Sequence, residues 1–109
     1  MPLKPGDVVT NNFMGALSTK KRPSVVISTA TYHAHRPDVM LCLLTTQIRK
    51  ATAPTDYVLQ DWAAAGLHKA SAARCFVATM PAADVILIGH LSDRDWQEVQ
   101  ARLRLALAV

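Results

Sequence analysis

The sequence predicts a small β-rich α+β fold: a curled antiparallel sheet or barrel of five or six short strands, closed by one C-terminal amphipathic helix. Three observations carry this expectation. Short apolar segments rich in Val, Ile and Leu follow one another closely. Turn signals separate them, at Met14-Gly15, Arg36-Pro37, Ala53-Pro54, Gly66 and Met80-Pro81. Only the last segment repeats its apolar residues at helical spacing. Half of the 109 residues are hydrophobic and 18% are charged, which supports a packed core and excludes general disorder. The length fits a single domain over residues 1–109, small enough for oligomerisation to supplement its core.

The elements follow in order. DVVTNNF (Asp7–Phe13) comes after a Pro-Gly turn and reads as a strand, although Asn11 and Asn12 at its centre are poor strand formers. SVVIS (Ser24–Ser28) is a short buried strand, and DVMLCLLTT (Asp38–Thr46) a longer one. DYVLQ (Asp56–Gln60), RCFVAT (Arg74–Thr79) and DVILIGHL (Asp84–Leu91) supply three more. In LSDRDWQEVQARLRLALA, Ser92 is the N-cap and Asp95 stands at the carboxylate position of a capping box. Trp96, Val99, Leu103 and Leu107 then form one apolar face, with Glu98 and Arg102 placed for an i,i+4 ion pair outside it. Phe13, Tyr57, Phe76 and Trp96 read as core, and Trp62 as a surface or interface residue.

The net charge of +4 is unevenly spread. Residues 1–55 carry a net +5 and residues 56–109 a net −1, the distribution of a patch for a polyanion as well as of an ordinary basic protein. Cys42 and Cys75 lie in apolar runs, form no CxxC pair and have no metal-ligand spacing to histidine, so they read as small core thiols and no metal site is expected. The N-terminus lacks the apolar stretch of a secretory signal, and no apolar run reaches the length of a membrane span. These features predict a cytoplasmic chain with no membrane partner.

The stretch STKKRPSVVIS sets Lys20, Lys21 and Arg22 before Pro23 and an apolar strand. A charge run of this kind is either a solvated turn or a loop facing an anion. A second candidate lies in YHAHRPD: if that segment is extended, His33 and His35 share one face and form an acid–base pair placed to flank a phosphate. The alternative there is a loop with two unremarkable histidines, the favoured reading. His68 and His90 have no evident partners in the sequence.

PGDVV…NF at residues 5–13, KRPSVVIS at 21–28 and LLTTQ at 43–47 occur in the order and spacing of the PemK/MazF family, and GLHKASAAR (66–74) and IGHLSDRDWQEV (88–99) are similar to its later signature. The chain resembles that family from Lys4 to about Leu107. Two positions depart from it: Asn12 stands where many relatives carry Asp, and Lys69-Ala70-Ser71 lacks the proline of a Lys-Pro-Ser motif. The resemblance implies an SH3-like β-barrel with a C-terminal helix, and the toxin of a type II toxin–antitoxin pair. It further implies a homodimeric, sequence-selective endoribonuclease that needs no metal or other cofactor, cuts single-stranded RNA of messengers, and is silenced by a cognate antitoxin protein. The family's functional arginine falls on Arg22, and its functional threonine on Thr45, the first hydroxyl of a Thr-x-Gln motif ending at Gln47.

The chemistry fits those residue types. Attack by a ribose 2′-OH carries the phosphate through a pentacoordinate state that needs fixed cations and donors. Arg22 is always charged and grips two oxygens at once, while Thr45 offers a hydroxyl to the same phosphate. Arginine is a poor general base, and the sequence names none. Asn12, Lys20, Lys21, Thr46, Gln47, Arg49 and Lys50 are the expected RNA-binding residues around this pair. Two rival functions remain at this stage. One is a non-enzymatic poison of DNA gyrase with the same fold, a class that acts through a Trp-Gly-Ile end, whereas this chain ends Leu105-Ala106-Leu107-Ala108-Val109. The other is an inactive binding module.

Overall fold

A computed structural model describes residues 2–14 and 19–109, with the side chains of 12–14 and 19–21 outside the description. Six strands form one antiparallel sheet in the order β4-β5-β3-β2-β1-β6. They are β1 (Asp7–Met14), β2 (Thr19–Val26), β3 (Asp38–Thr45), β4 (Tyr57–Val58), β5 (Ala72–Pro81) and β6 (Val85–His90). The expected β-rich α+β class is present, with the sheet open between its edge strands β4 and β6 instead of closed as a barrel.

Side-chain alternation explains how this sheet is buried. Val8, Val25, Cys42, Leu44 and Ala73 line the face covered by the C-terminal helix α2 (Asp93–Ala106), where Val99 and Leu103 meet Tyr57, Leu59 and Leu67. Their strand neighbours Val9, Val26 and Leu41 turn the other way and join Val39, Leu3, Met80 and Val85 in a second, smaller cluster. Close backbone approach fixes the turn after β4: a Cβ on Gly89 would lie 2.0 Å from the Ala65 carbonyl oxygen, so the turn rests directly on β6.

Several expectations change here. The cationic run is strand, not turn: Lys20, Lys21 and Arg22 lie within β2, paired with Phe13, Asn12 and Asn11 of β1. The pairing of two long arms outweighs the weak strand propensity of Asn and Lys. A second helix, α1 (Ala30–His35), stands where a loop was the favoured reading and an extended segment the alternative, and it ends before Pro37. Within α2, Ser92 caps as expected, its hydroxyl accepting from the Asp95 N–H, and Arg102 pairs with Glu98 at 2.8 Å. The Asp95 carboxylate does not complete a capping box. It is fully buried and accepts from the Tyr57 hydroxyl at 2.6 Å and from the Gln60 and Asp61 N–H groups at 3.0 and 2.8 Å. Leu107 lies past the helix end, 42% exposed, and Phe76 is 59% exposed instead of core.

Candidate active site

β2 carries Arg22, and Pro23 decides how β2 meets β3. Proline has no N–H to donate, and the ladder to β3 begins only at Ser24, opposite Leu43. The two strands therefore part at this point. Carried two residues further, the same register sets Arg22 across from Thr45, and both line a cleft of about 190 Å³ with Leu43, Leu44, Gln47, Arg74 and Phe76. The Thr45 Oγ1 accepts the Gln47 backbone N–H at 3.1 Å, which engages an oxygen lone pair and leaves the hydroxyl proton available to an incoming acceptor. Arg22 is exposed, as a residue that meets a ligand from solvent must be.

Arg74 reaches this cleft through a bulge. Leu44 pairs with Ala73 and Cys42 with Val77, so that Arg74–Phe76 on β5 stand against the single residue Leu43 on β3. Cys75 absorbs the distortion at φ 58°, a left-handed conformation uncommon for a residue with a side chain, and bulges of this kind re-aim side chains beside functional sites. The Arg74 guanidinium carbon sits 5.2 Å from the Phe76 ring centroid, and Nε lies 3.8 Å from the nearest Asp56 carboxylate oxygen. That Nε is buried without a hydrogen-bond partner. Two arginines thus converge on one small polar cleft.

The other expected residues divide. Gln47 lines the cleft. Thr46, one residue beyond Thr45, faces a neighbouring cavity of about 240 Å³ with Thr10, Pro23, His68 and Ser71. Arg49 and Lys50 are exposed on a 3₁₀ turn just past Gln47. The side chains of Asn12, Lys20 and Lys21 lie outside the described residues. The histidine pair is not a site: on helix α1, residues two apart point to different sides. The His33 ring is held by the Ser28 hydroxyl and the Leu3 carbonyl, and His35 is exposed. His90 does have a partner, Asp7, whose Oδ1 lies 2.8 Å from its Nδ1. Both line a separate cavity of about 530 Å³ with Lys4 and Leu87.

The thiols stay out of the chemistry. Burial pushes the Cys42 pKa up to about 12, and burial also raises that of Cys75, so neither is a ready nucleophile. Among the described residues, no three His, Cys, Asp or Glu side chains gather as a metal would require. Nor, among the described residues, is any helix long and apolar enough to cross a membrane.

A family model for the PemK-like, MazF-like toxins of type II toxin–antitoxin systems matches residues 4–107. The chain belongs to this family. Among solved structures, an endoribonuclease in complex with its cognate antitoxin from a mycobacterial species superposes with a TM-score of 0.80, at 20% identity over 100% of this chain and 97% of that one. A MazE–MazF complex from Deinococcus radiodurans gives 0.78 at 18% identity, covering 98% and 97% of the two chains. The Mycobacterium tuberculosis toxin MazF-mt6 gives 0.72 at 21% identity over 94% and 95%. No curated protein matched the chain. The fold of this PemK/MazF-like toxin is thereby established.

Arg74 is the residue of this family member's cleft that sequence reasoning missed. Its sequence neighbourhood, AARCF, looks like any strand entry. Nothing local announces a bulge opposite Leu43.

Proposed function

We propose that the protein is the toxin of a toxin–antitoxin pair and acts as an endoribonuclease on single-stranded RNA, without a metal ion. One observation supports this reading above others: Arg22, Thr45 and Arg74, from three strands, line one polar cleft of about 190 Å³. A phosphodiester between them meets two permanent cations and a hydroxyl donor.

In the proposed reaction the ribose 2′ oxygen forms a bond to phosphorus while the bond to the 5′ oxygen of the next nucleotide breaks. The 2′ proton leaves to solvent, and a proton reaches the departing 5′ oxygen. The products are a 2′,3′-cyclic phosphate and a 5′-hydroxyl end. Arg22 and Arg74 carry the negative charge that accumulates on the phosphate oxygens, which is where fixed cations accelerate such a step most. Thr45 donates to one of those oxygens. Gln47 at the cleft, with Arg49 and Lys50 beyond it, positions the strand through phosphates and bases; Thr46, Asn12, Lys20 and Lys21 extend that surface. A homodimer and a cognate antitoxin that occupies the RNA surface complete the proposal. Two of the three neighbouring structures are complexes with an antitoxin, which supports the antitoxin as a partner.

The test is cleavage of a long RNA by purified protein in excess EDTA, beside Arg22→Ala and Arg74→Ala. Wild type is expected to cut, Arg22→Ala to lose about a hundredfold or more in rate, as for removal of one oxyanion donor, and Arg74→Ala to lose at least tenfold. A folded wild type that cuts no RNA, or cuts only when metal is returned, overturns the corresponding part of the proposal.

A further inference from the structure

Asn11 sits at the centre of β1, where a polar amide is least expected. It is 3% exposed. Its Nδ2 donates to the Met80 thioether at 2.9 Å, which sets the amide's orientation, and its Oδ1 is buried without a hydrogen-bond partner. Such a group costs free energy that an apolar residue in its place would not. Its lateral neighbours are Val85 on β6 and Arg22 on β2, each directly opposite in register. Directly opposed residues share a sheet face with their Cβ atoms about 5 Å apart. Of these two neighbours only Arg22 can donate to the orphaned oxygen, and Arg22 is one of the two cations that line the cleft.

We propose that Asn11 is a positioning residue for Arg22: when the cleft holds a phosphodiester, Asn11 Oδ1 accepts a hydrogen bond from the Arg22 guanidinium and fixes its plane against the phosphate. The guanidinium has five N–H donors. Two can grip the phosphate and another can reach back to the amide, so one plane serves both contacts. Without substrate, Arg22 turns to solvent and the oxygen stays unpaired. Asn11 acts through Arg22 and does not touch RNA. The proposal rests on the nuclease reading of the cleft.

The experiment compares wild type, Asn11→Val, Arg22→Lys and the double variant in kcat, KM and Tm on a short fluorogenic RNA. Asn11→Val should lower kcat about tenfold, the worth of one charge-assisted hydrogen bond, while KM stays within about twofold and Tm holds or rises as the unpaired amide is removed. In the Arg22→Lys background the same change should slow the reaction no further, since the two residues act as one unit. An unchanged kcat, losses that multiply, or a fall in Tm that accounts for the lost rate each overturns the proposal. If wild type cuts no RNA, the nuclease reading fails, and the positioning claim is then read from the Arg22 Nε–H resonance titrated with inorganic phosphate. A response that Asn11→Val diminishes upholds the contact, and identical titrations overturn it.

Discussion

Ser24 lies two residues beyond Arg22 on the same face of β2, fully buried, its hydroxyl without a hydrogen-bond partner. A buried hydroxyl left unpaired costs about 1 kcal/mol or more relative to a methyl group. Ser24→Ala removes one oxygen and leaves almost no cavity. It should therefore raise stability by about 1 kcal/mol, read as a higher urea midpoint at unchanged slope; a lower midpoint would mean that the hydroxyl is bonded in solution. The site was legible at this scale where chemistry and strand ends coincide. Arg22, Thr45 and Gln47 flank apolar runs, and the cleft gathers all three. Thr46 was separable from Thr45 in principle, because successive residues at the end of a strand face opposite ways. Arg74 was not, since its position depends on a left-handed Cys75 and on a register shift against a strand some thirty residues earlier.

Among the elements, α2 owes its place to a junction more than to its apolar stripe. The buried Asp95 carboxylate binds the Tyr57 hydroxyl of β4 and two backbone N–H groups of the following loop, while Asp61 of that loop accepts from Ser92 and, at 2.7 Å each, from Arg94 Nε and Nη2. These contacts move two titrations. Hydrogen bonds from Arg94 and Ser92 hold the Asp61 pKa down to about 2 from 3.8, and burial with the neighbouring Asp95 pushes that of Tyr57 up to about 12 from 10.0. The lowered carboxylate stabilises the fold above about pH 4, and this contribution is lost as the pH falls toward 2. The raised phenol stabilises below about pH 10, and its contribution is lost as the pH climbs toward 12. Unfolding measured across pH should show both declines. Tyr57→Phe should cost about 2 kcal/mol at neutral pH, the worth of a hydrogen bond to a charged group, and should leave the acid decline intact while shrinking the alkaline one, the remainder of which comes from the buried Cys42 thiol. Helix α2 was legible because its apolar residues repeat over three turns. Helix α1 was not: it has six residues and buries none of them, so no apolar periodicity marks it. The missed extent of β2 has a different cause, as its cationic half is strand only through pairing with β1.

For the whole molecule the question is how a modest net charge of +4 becomes a focused one. The basic first half supplies Arg22 from β2 and, past β3, Arg49 and Lys50, and folding adds Arg74 from the nearly neutral second half. Asp56 competes for Arg74, but at 3.8 Å and without a hydrogen bond it holds the guanidinium loosely. If a polyanion displaces that contact, Arg74 releases a counterion on binding just as Arg22 does. For single-stranded RNA each phosphate so neutralised contributes about −0.7 to the slope of log K against log salt. Binding of a 2′-deoxy substrate analogue, which cannot be cut, should therefore show a slope of about −1.4 or steeper with both arginines engaged. Arg74→Ala should make it shallower by about 0.7, whereas Arg104→Ala, exposed on the last turn of α2, should leave it alone. An unchanged slope in Arg74→Ala would mean that Asp56 keeps its partner in the complex, leaving Arg22 as the cleft's working cation.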